Sequence, residues 1–183
     1  YQSVSGAGKE GVEELKEQTA QWVNAFNTNV TPQNLVSKTF AHPIAFTNLP
    51  HIDKFDESGF TFEEKKIMQE TQKILDLPEL EISVTSVRTP TLNGHSEAVW
   101  VDLDKEVSRA ELLKTLNSAP GLVIQDDPSK AEYPLNSEAS GRDPVYVGRI
   151  RRDLKNPKRW LFWVVSDNLR KGAALNGMQI AEI

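Results

Sequence analysis

Arg88 and His95 stand seven residues apart on either side of Asn93-Gly94, a dipeptide that favours a tight turn between strands. Such a turn can bring a guanidinium and an imidazole to the same rim of a sheet. That pair suits an anionic substrate: the arginine forks onto a carboxylate, and the histidine moves a proton near neutral pH. The same spacing also describes a strand-end arginine beside a solvent-exposed histidine. Glu63 and Lys66, three apart in the first turns of an expected helix, read by spacing as an exposed ion pair. His42 and His51 lie beside prolines in loop-like surroundings, and surface or structural roles suit them better. No two histidines have metal-ligand spacing, so no metal site is expected. The sequence holds no cysteine, which removes disulfides, thiolate metal sites and a cysteine nucleophile from these residues.

Gly6, Gly8 and Gly11 spell G-x-G-x-x-G, formally a dinucleotide fingerprint. The fingerprint needs a strand before it, a helix after it and an acid about 20 residues on. Only Tyr-Gln-Ser-Val precedes Ser5, and Val30, Thr31 and Pro32 occupy the acid's place. Gly8-Lys9 is followed by Glu10, so a P-loop fails too. A turn feeding a helix is the better reading.

The elements that must position these residues follow from periodicity. Residues 9–26 form an amphipathic helix with Val12, Leu15, Trp22, Val23 and Phe26 on one stripe. Residues 27–42 are polar and loop-like, and PIAFTNLPHI (43–52) reads as a short strand broken by Pro50. Thr61 and Glu64 frame a capping box for a second helix, with Ile67, Met68, Thr71, Ile74 and Leu75 as its buried stripe. LEISVTSVR (80–88) alternates like a strand, and SEAVWVDL (96–103) is the next. Ser108 and Glu111 cap a third helix. After a turn-rich stretch come two long strands, VYVGRIRR (145–152) and RWLFWVV (159–165). Asp167 or Asn168 then caps a final helix. Strands and helices mix without strict alternation, which predicts α+β: a mixed, largely antiparallel sheet with helices on one face.

A chain of 183 residues suits one domain, 1–183, with an ordinary globular composition of 38% hydrophobic and 26% charged residues. A net charge of −5 and a pI near 5.3 argue against nucleic acid or an anionic membrane as partner. The one dense basic stretch, Arg149 to Arg152 with Lys155, Lys158 and Arg159, is short, includes Asp153 and reads as a solvated strand end. The longest apolar run, WLFWVV, is too short to span a bilayer. A cysteine-free chain without a visible leader is expected to be cytoplasmic.

Taken together, the stretches YQSVSGAG (1–8), PIAFTNLPHID (43–53), FTFEEKK (60–66), SVRTPTLNGHSEAV (86–99), VGRIRRD (147–153) and WVVSDNLRKGAALNGMQIAE (163–182) resemble the aspartate-semialdehyde dehydrogenase family. The likeness is to its C-terminal catalytic and dimerisation domain, which has the glyceraldehyde-3-phosphate dehydrogenase-like C-terminal fold. The resemblance implies a reversible, NADP-dependent oxidation of L-aspartate 4-semialdehyde with phosphate to 4-phospho-L-aspartate, in lysine, threonine and methionine biosynthesis. It implies that Gln2 orients the thiohemiacetal and a water, that His95 is the general acid/base, and that Arg88 clamps the substrate carboxylate. Glu63 would hold the ammonium group and Lys66 phosphate. Ser5, Gly6 and Asn168 would touch the cofactor, whose true fingerprint the family carries in a separate Rossmann domain. A homodimer or homotetramer is implied, with the strands near 145–165 as its surface.

The sequence also departs from the family. The family's nucleophilic cysteine and its nucleotide domain precede the segment that matches Tyr1, so the chain alone is expected to be inert and to be a piece of a longer enzyme. The helix at 168–183 is expected to pack on that nucleotide domain. Ser86 stands where many relatives have cysteine, expected to be a neutral packing swap. Two other functions compete: a non-enzymatic paralogue or anion-binding dimerisation module, and a reductase of another acyl phosphate or acyl-CoA. Retention of Gln2, Glu63, Lys66, Arg88 and His95 together speaks against the first. The pairing of Arg88 with Glu63 favours an amino-acid aldehyde over the second.

Overall fold

A computed structural model describes residues 1–28, 32 and 35–182, which form two compact units, Tyr1–Leu92 and Asn93–Ile183. Part of the expected 27–42 loop lies outside the described residues. The first unit begins with a 3-10 turn, Val4–Ala7, running into α1, Gly8–Thr28. No strand ladder precedes that turn, and Gly11 has a packing reason. A Cβ there would lie 2.8 Å from the Val4 carbonyl oxygen and 3.0 Å from the Phe40 ring. The glycine pattern therefore lets a turn fold tightly against α1, as the turn reading predicts.

The core of this unit is Val4, Leu15, Ile44, Ala45 and Leu49, with Val12, Trp22 and Phe40 packed against it. The expected α1 stripe is therefore only partly buried. Val23 and Phe26 are exposed, and Trp22 and Phe26 instead form a ring trio with Phe46. In their stead, α1 buries two polar side chains, Glu14 and Gln18. Gln18 Oε1 accepts from the Ile44 and Ala45 N–H groups at 2.8 and 3.0 Å, and its Nε2 donates to the Val36 carbonyl. Glu14 Oε2 accepts from the Lys38 and Thr39 N–H groups.

This explains why the strand expected over 43–52 does not form. The backbone donors that a ladder would use are held by a helix side chain, and Phe46 turns the chain at φ +60°. Only Leu49 pairs as a strand would, with Arg88. The 80–88 segment keeps the predicted alternation, with Ser86 and Arg88 buried and Thr85 exposed, yet its bridges are confined to Arg88. The second helix, α2 (Phe62–Leu75), carries both halves of the expected capping box. Its stripe is a correction: Ile74 and Leu75 are 79% and 54% exposed, and Glu64 is its one buried residue. Periodicity marks an apolar stripe without stating what covers its far end.

The second unit holds β1 (His95–Asp102), α3 (Arg109–Ser118), β2 (Leu122–Ile124), α4 (Asn136–Ala139), β3 (Val145–Arg152), β4 (Arg159–Ser166) and α5 (Leu175–Ala181). The sheet order is β1-β4-β3-β2, antiparallel except for the β2–β3 pair, so it is the mixed, largely antiparallel α+β sheet expected. A bulge between Gly148 and Arg151, with Arg149 at φ +53°, turns Val147 and Ile150 into one cluster with Trp160. Leu112, Leu113 and Leu116 of α3 pack on that cluster, while Ala139 of α4 packs with Tyr146 and Val165. The short strand β2 was not apparent in the sequence because it lies against the turn-rich stretch.

The final helix is also corrected. After β4 the chain makes a π-type turn, Arg170–Ala174, and breaks at Ala173 (φ −140°, ψ −110°) before α5 begins. Gly172 and Gly177 lower the helical propensity of this stretch.

Gln18→Leu should destabilise the intact protein by about 2–4 kcal/mol, because it leaves two buried N–H groups without an acceptor. Urea unfolding measures this, and an unchanged midpoint would refute the role given to Gln18.

Candidate functional site

In the first unit the site is built around the backbone of Arg88. Its N–H donates to the Leu49 carbonyl at 2.8 Å and its carbonyl accepts from the Leu49 N–H at 2.9 Å. On its other side Gln2 N–H donates to the Val87 carbonyl, and Thr89 N–H donates to the Gln2 carbonyl. Arg88 is thus the middle member of a three-segment arrangement, parallel to Gln2 and antiparallel to Leu49.

Arg88 is buried, 7% exposed. Nη1 donates to the Ser3 carbonyl at 2.7 Å, and the group lies 5.9 Å from the Phe40 ring centre. Burial lowers its pKa and the charge of Glu63 raises it, with burial the larger effect. At any physiological pH an arginine stays charged, so what results is a fixed, desolvated cation.

Glu63 provides the matching anion. Its Oε1 accepts from Gln2 Nε2 at 2.7 Å, and its Oε2 lies 3.5 Å from Lys66 Nζ. The pair that spacing alone makes an exposed ion pair is therefore one link of a chain, Gln2–Glu63–Lys66. Its position at the start of α2 comes from the capping box: Thr61 Oγ1 accepts from Glu64 N–H while Glu64 Oε2 accepts from Thr61 N–H. Ser5 and Gly6 lie in the 3-10 turn. Ser5 shares a hydrogen bond with the Ser3 hydroxyl at 2.9 Å, and its N–H donates to the Leu92 carbonyl.

In the second unit His95 opens β1 opposite Ser166. The turn before it needs Gly94, which takes φ +85° with Asn136 close enough to crowd any Cβ. The Gly94 peptide groups are held on both sides. Asn168 Oδ1 accepts from the Gly94 N–H at 2.9 Å, and Asn136 Nδ2 donates to its carbonyl at 2.5 Å. Asn136 Oδ1 also accepts from the Ser96 hydroxyl, so one side chain spans the residues flanking His95. Asp167, not Asn168, caps the following turn, accepting from the Leu169 and Arg170 N–H groups. Its other oxygen accepts from Asn93 Nδ2 and the Gly141 N–H. Burial alone would raise the Asp167 pKa; those hydrogen bonds outweigh it and hold the carboxyl below its ordinary range.

Sequence reasoning missed Asn136 and Glu64. Asn136 lies in a stretch marked only by turn residues, and nothing in its neighbours signals a long-range bond. The capping box did signal Glu64, but only its local half. Ser86 departs from expectation as well: its hydroxyl is buried without a hydrogen-bond partner, so serine there is not a neutral filling. His42 is exposed, and His51 stacks on Phe55 at 4.5 Å, which gives it a packing role. Among the described residues no cluster of three or more His, Cys, Asp or Glu could hold a metal ion, and no helix is long and apolar enough to cross a membrane.

Comparison with known proteins bears directly on this arrangement. The family model described as "Semialdehyde dehydrogenase, dimerisation domain" matches residues 1–171. The chain is 45% identical over 183 residues to the aspartate-semialdehyde dehydrogenases of Bacillus subtilis and of Aquifex aeolicus, covering 53% and 52% of those proteins. Among solved structures, that of aspartate semialdehyde dehydrogenase II from Vibrio cholerae complexed with ASA aligns over 100% of this chain and 52% of that one. Its TM-score is 0.89 at 40% identity. The chain thus spans about half the length of the curated relatives it matches.

Carboxyls held below their ordinary pKa contribute stability that is present above about pH 4 and lost as pH falls through the lowered value. Asp167→Asn should therefore weaken the protein at pH 7 and flatten its loss of stability between about pH 5 and pH 3. Urea midpoints measured across that range test this. A slope equal to wild type would show that Asp167 does not carry the acid sensitivity.

Proposed function

We infer the function from a premise the comparisons supply: the chain belongs to the family of semialdehyde dehydrogenase dimerisation domains. We propose that it is the substrate-binding and dimerisation half of an NADP-dependent aspartate-semialdehyde dehydrogenase. That enzyme would interconvert L-aspartate 4-semialdehyde plus phosphate with 4-phospho-L-aspartate in the cytoplasm.

One observation carries the reading. A buried guanidinium and a carboxylate that feels its charge lie in one compact unit, the first held by the Ser3 carbonyl and the second by the Gln2 amide. An amino acid needs both poles: Arg88 takes the α-carboxylate in a bidentate fork, and Glu63 takes the ammonium group. A substrate ammonium competes with the Gln2 amide for Glu63, which releases Gln2 to orient the thiohemiacetal and a water. Lys66, 57% exposed, remains available to phosphate. His95 passes the proton at the reacting oxygen, its backbone fixed by the held Gly94 peptide. The sequence contains no cysteine, so the thiolate that family chemistry requires is not among these residues, and we propose that the chain alone does not turn over.

NADP, when bound, accepts the hydride. The glycine run offers it no phosphate cradle, since Gly11 is packed on Val4 and the Ser5 and Gly6 N–H groups donate to Leu92 and Ser3 carbonyls. We propose that Ser5, Gly6 and Asn168 each touch the cofactor. The sheet that includes β3 and β4 is proposed as the surface that pairs with a second copy, in a dimer or tetramer.

In the intact protein, His95→Ala should lower kcat by roughly 10²–10⁴-fold with little change in KM. Near-normal turnover would remove His95 from the chemistry. Arg88→Lys should chiefly raise KM for the semialdehyde, because an ammonium cannot reproduce the fork; an unchanged KM would overturn the carboxylate clamp.

A further inference from the structure

We propose that Glu64 is a positioning residue that sets amino-acid specificity, by fixing the helix end that carries Glu63 against the segment that carries Arg88. This rests on the function proposed above.

The chain contains the same capping motif twice, and the two copies differ in one respect. At Ser108–Glu111 the box is local and exposed: Glu111 Oε2 accepts from both the N–H and the hydroxyl of Ser108. At Thr61–Glu64 the residue Glu64 is buried, 7% exposed, and its carboxylate divides its oxygens. Oε2 closes the box on Thr61 N–H at 2.8 Å. Oε1 reaches 22 residues along the chain to accept from the Ser86 N–H at 2.9 Å. A helix cap needs only the first bond. The second ties α2 to the strand-like segment just before Arg88.

The placement of the two ends matters. Glu63 is the neighbour of Glu64, and Arg88 lies two residues beyond Ser86, about 7 Å along an extended backbone and on the same side of it. Ser86 and Arg88 are both buried. The proposed ammonium-binding and carboxylate-binding groups are thus each within two residues of one carboxylate bridge. Gln2 makes a second link, through Nε2 to Glu63 and its backbone to Val87 and Thr89. That link ends in a side chain that substrate displaces, so it cannot hold the spacing once the site is filled. Glu64 touches neither pole and stays in place throughout. Burial would raise its pKa, yet the Thr61 and Ser86 hydrogen bonds hold it below the ordinary range, so the bridge is a carboxylate at neutral pH.

The test compares kcat/KM for L-aspartate 4-semialdehyde with that for its des-amino analogue, succinic semialdehyde, in the intact protein. Glu64→Gln keeps the shape but sets an NH2 group against one of the two N–H donors. It should cut wild-type discrimination by about tenfold or more, through KM for the amino-acid substrate rather than kcat. Glu111→Gln, the same change in the local box, should leave the ratio at its wild-type value. If Glu64→Gln does not fold, Glu64→Asp, one methylene too short to reach both donors, is read in the same way. A Glu64 variant that loses stability but keeps wild-type discrimination would overturn the proposal and leave an ordinary helix cap. A wild-type protein that does not discriminate, or an Arg88→Lys variant with unchanged KM, would instead overturn the amino-acid reading itself.

Discussion

The first unit depends on the two-sided pairing of Arg88. An extended segment that belongs to no regular strand is held by Gln2 on one flank and Leu49 on the other. Those flanks come from distant parts of the sequence and are themselves fixed by polar side chains. Leu49 follows a turn whose N–H groups Gln18 holds, and Gln2 leads into the 3-10 turn that Gly11 allows to close. A buried guanidinium is costly to desolvate and is tolerated where its surroundings are rigid and its hydrogen bonds made. The polar residues buried in α1, which a hydrophobic stripe would not include, supply that rigidity.

The second unit solves a similar problem by other means. His95 begins a regular strand, so β1–β4 pairing fixes the chain after it, while the turn before it needs separate support. Asn136 and Asn168 hold the two sides of the Gly94 peptide groups, and Asp167 gathers Asn93, Gly141 and the following turn onto one carboxylate. Three amide or carboxylate side chains thus replace the ladder that ends at His95. Each saturates backbone groups that would otherwise be buried without partners. The interruption at Ala173 fits this arrangement, because Asp167 caps a tight turn and α5 starts afresh beyond it.

In the first unit the expected elements are modified where they meet a polar clamp. The α1 helix is present, but Val23 and Phe26 point outward because Glu14 and Gln18 take the buried face. The 43–52 segment is apolar and short like a strand, but its donors are already engaged. The alternation over 80–88 predicts the burial of Ser86 and Arg88 and not the absence of a ladder around them.

The first three helices, both capping boxes and the three long strands of an α+β fold were legible in the sequence alone. Those features are local: propensity, capping and period-two or period-3.6 patterning act over a few residues. Its motifs, read as a set, also pointed to the family that the comparisons support. Only the tertiary structure decided that Glu64 reaches Ser86, that Asn136 spans the neighbours of His95, and that Arg88 is paired on both sides. Those bonds join residues 22, 39, 42 and more than 80 positions apart. Such partners leave no periodic trace, because a side-chain hydrogen bond to backbone constrains one donor and one acceptor and not the residues between them.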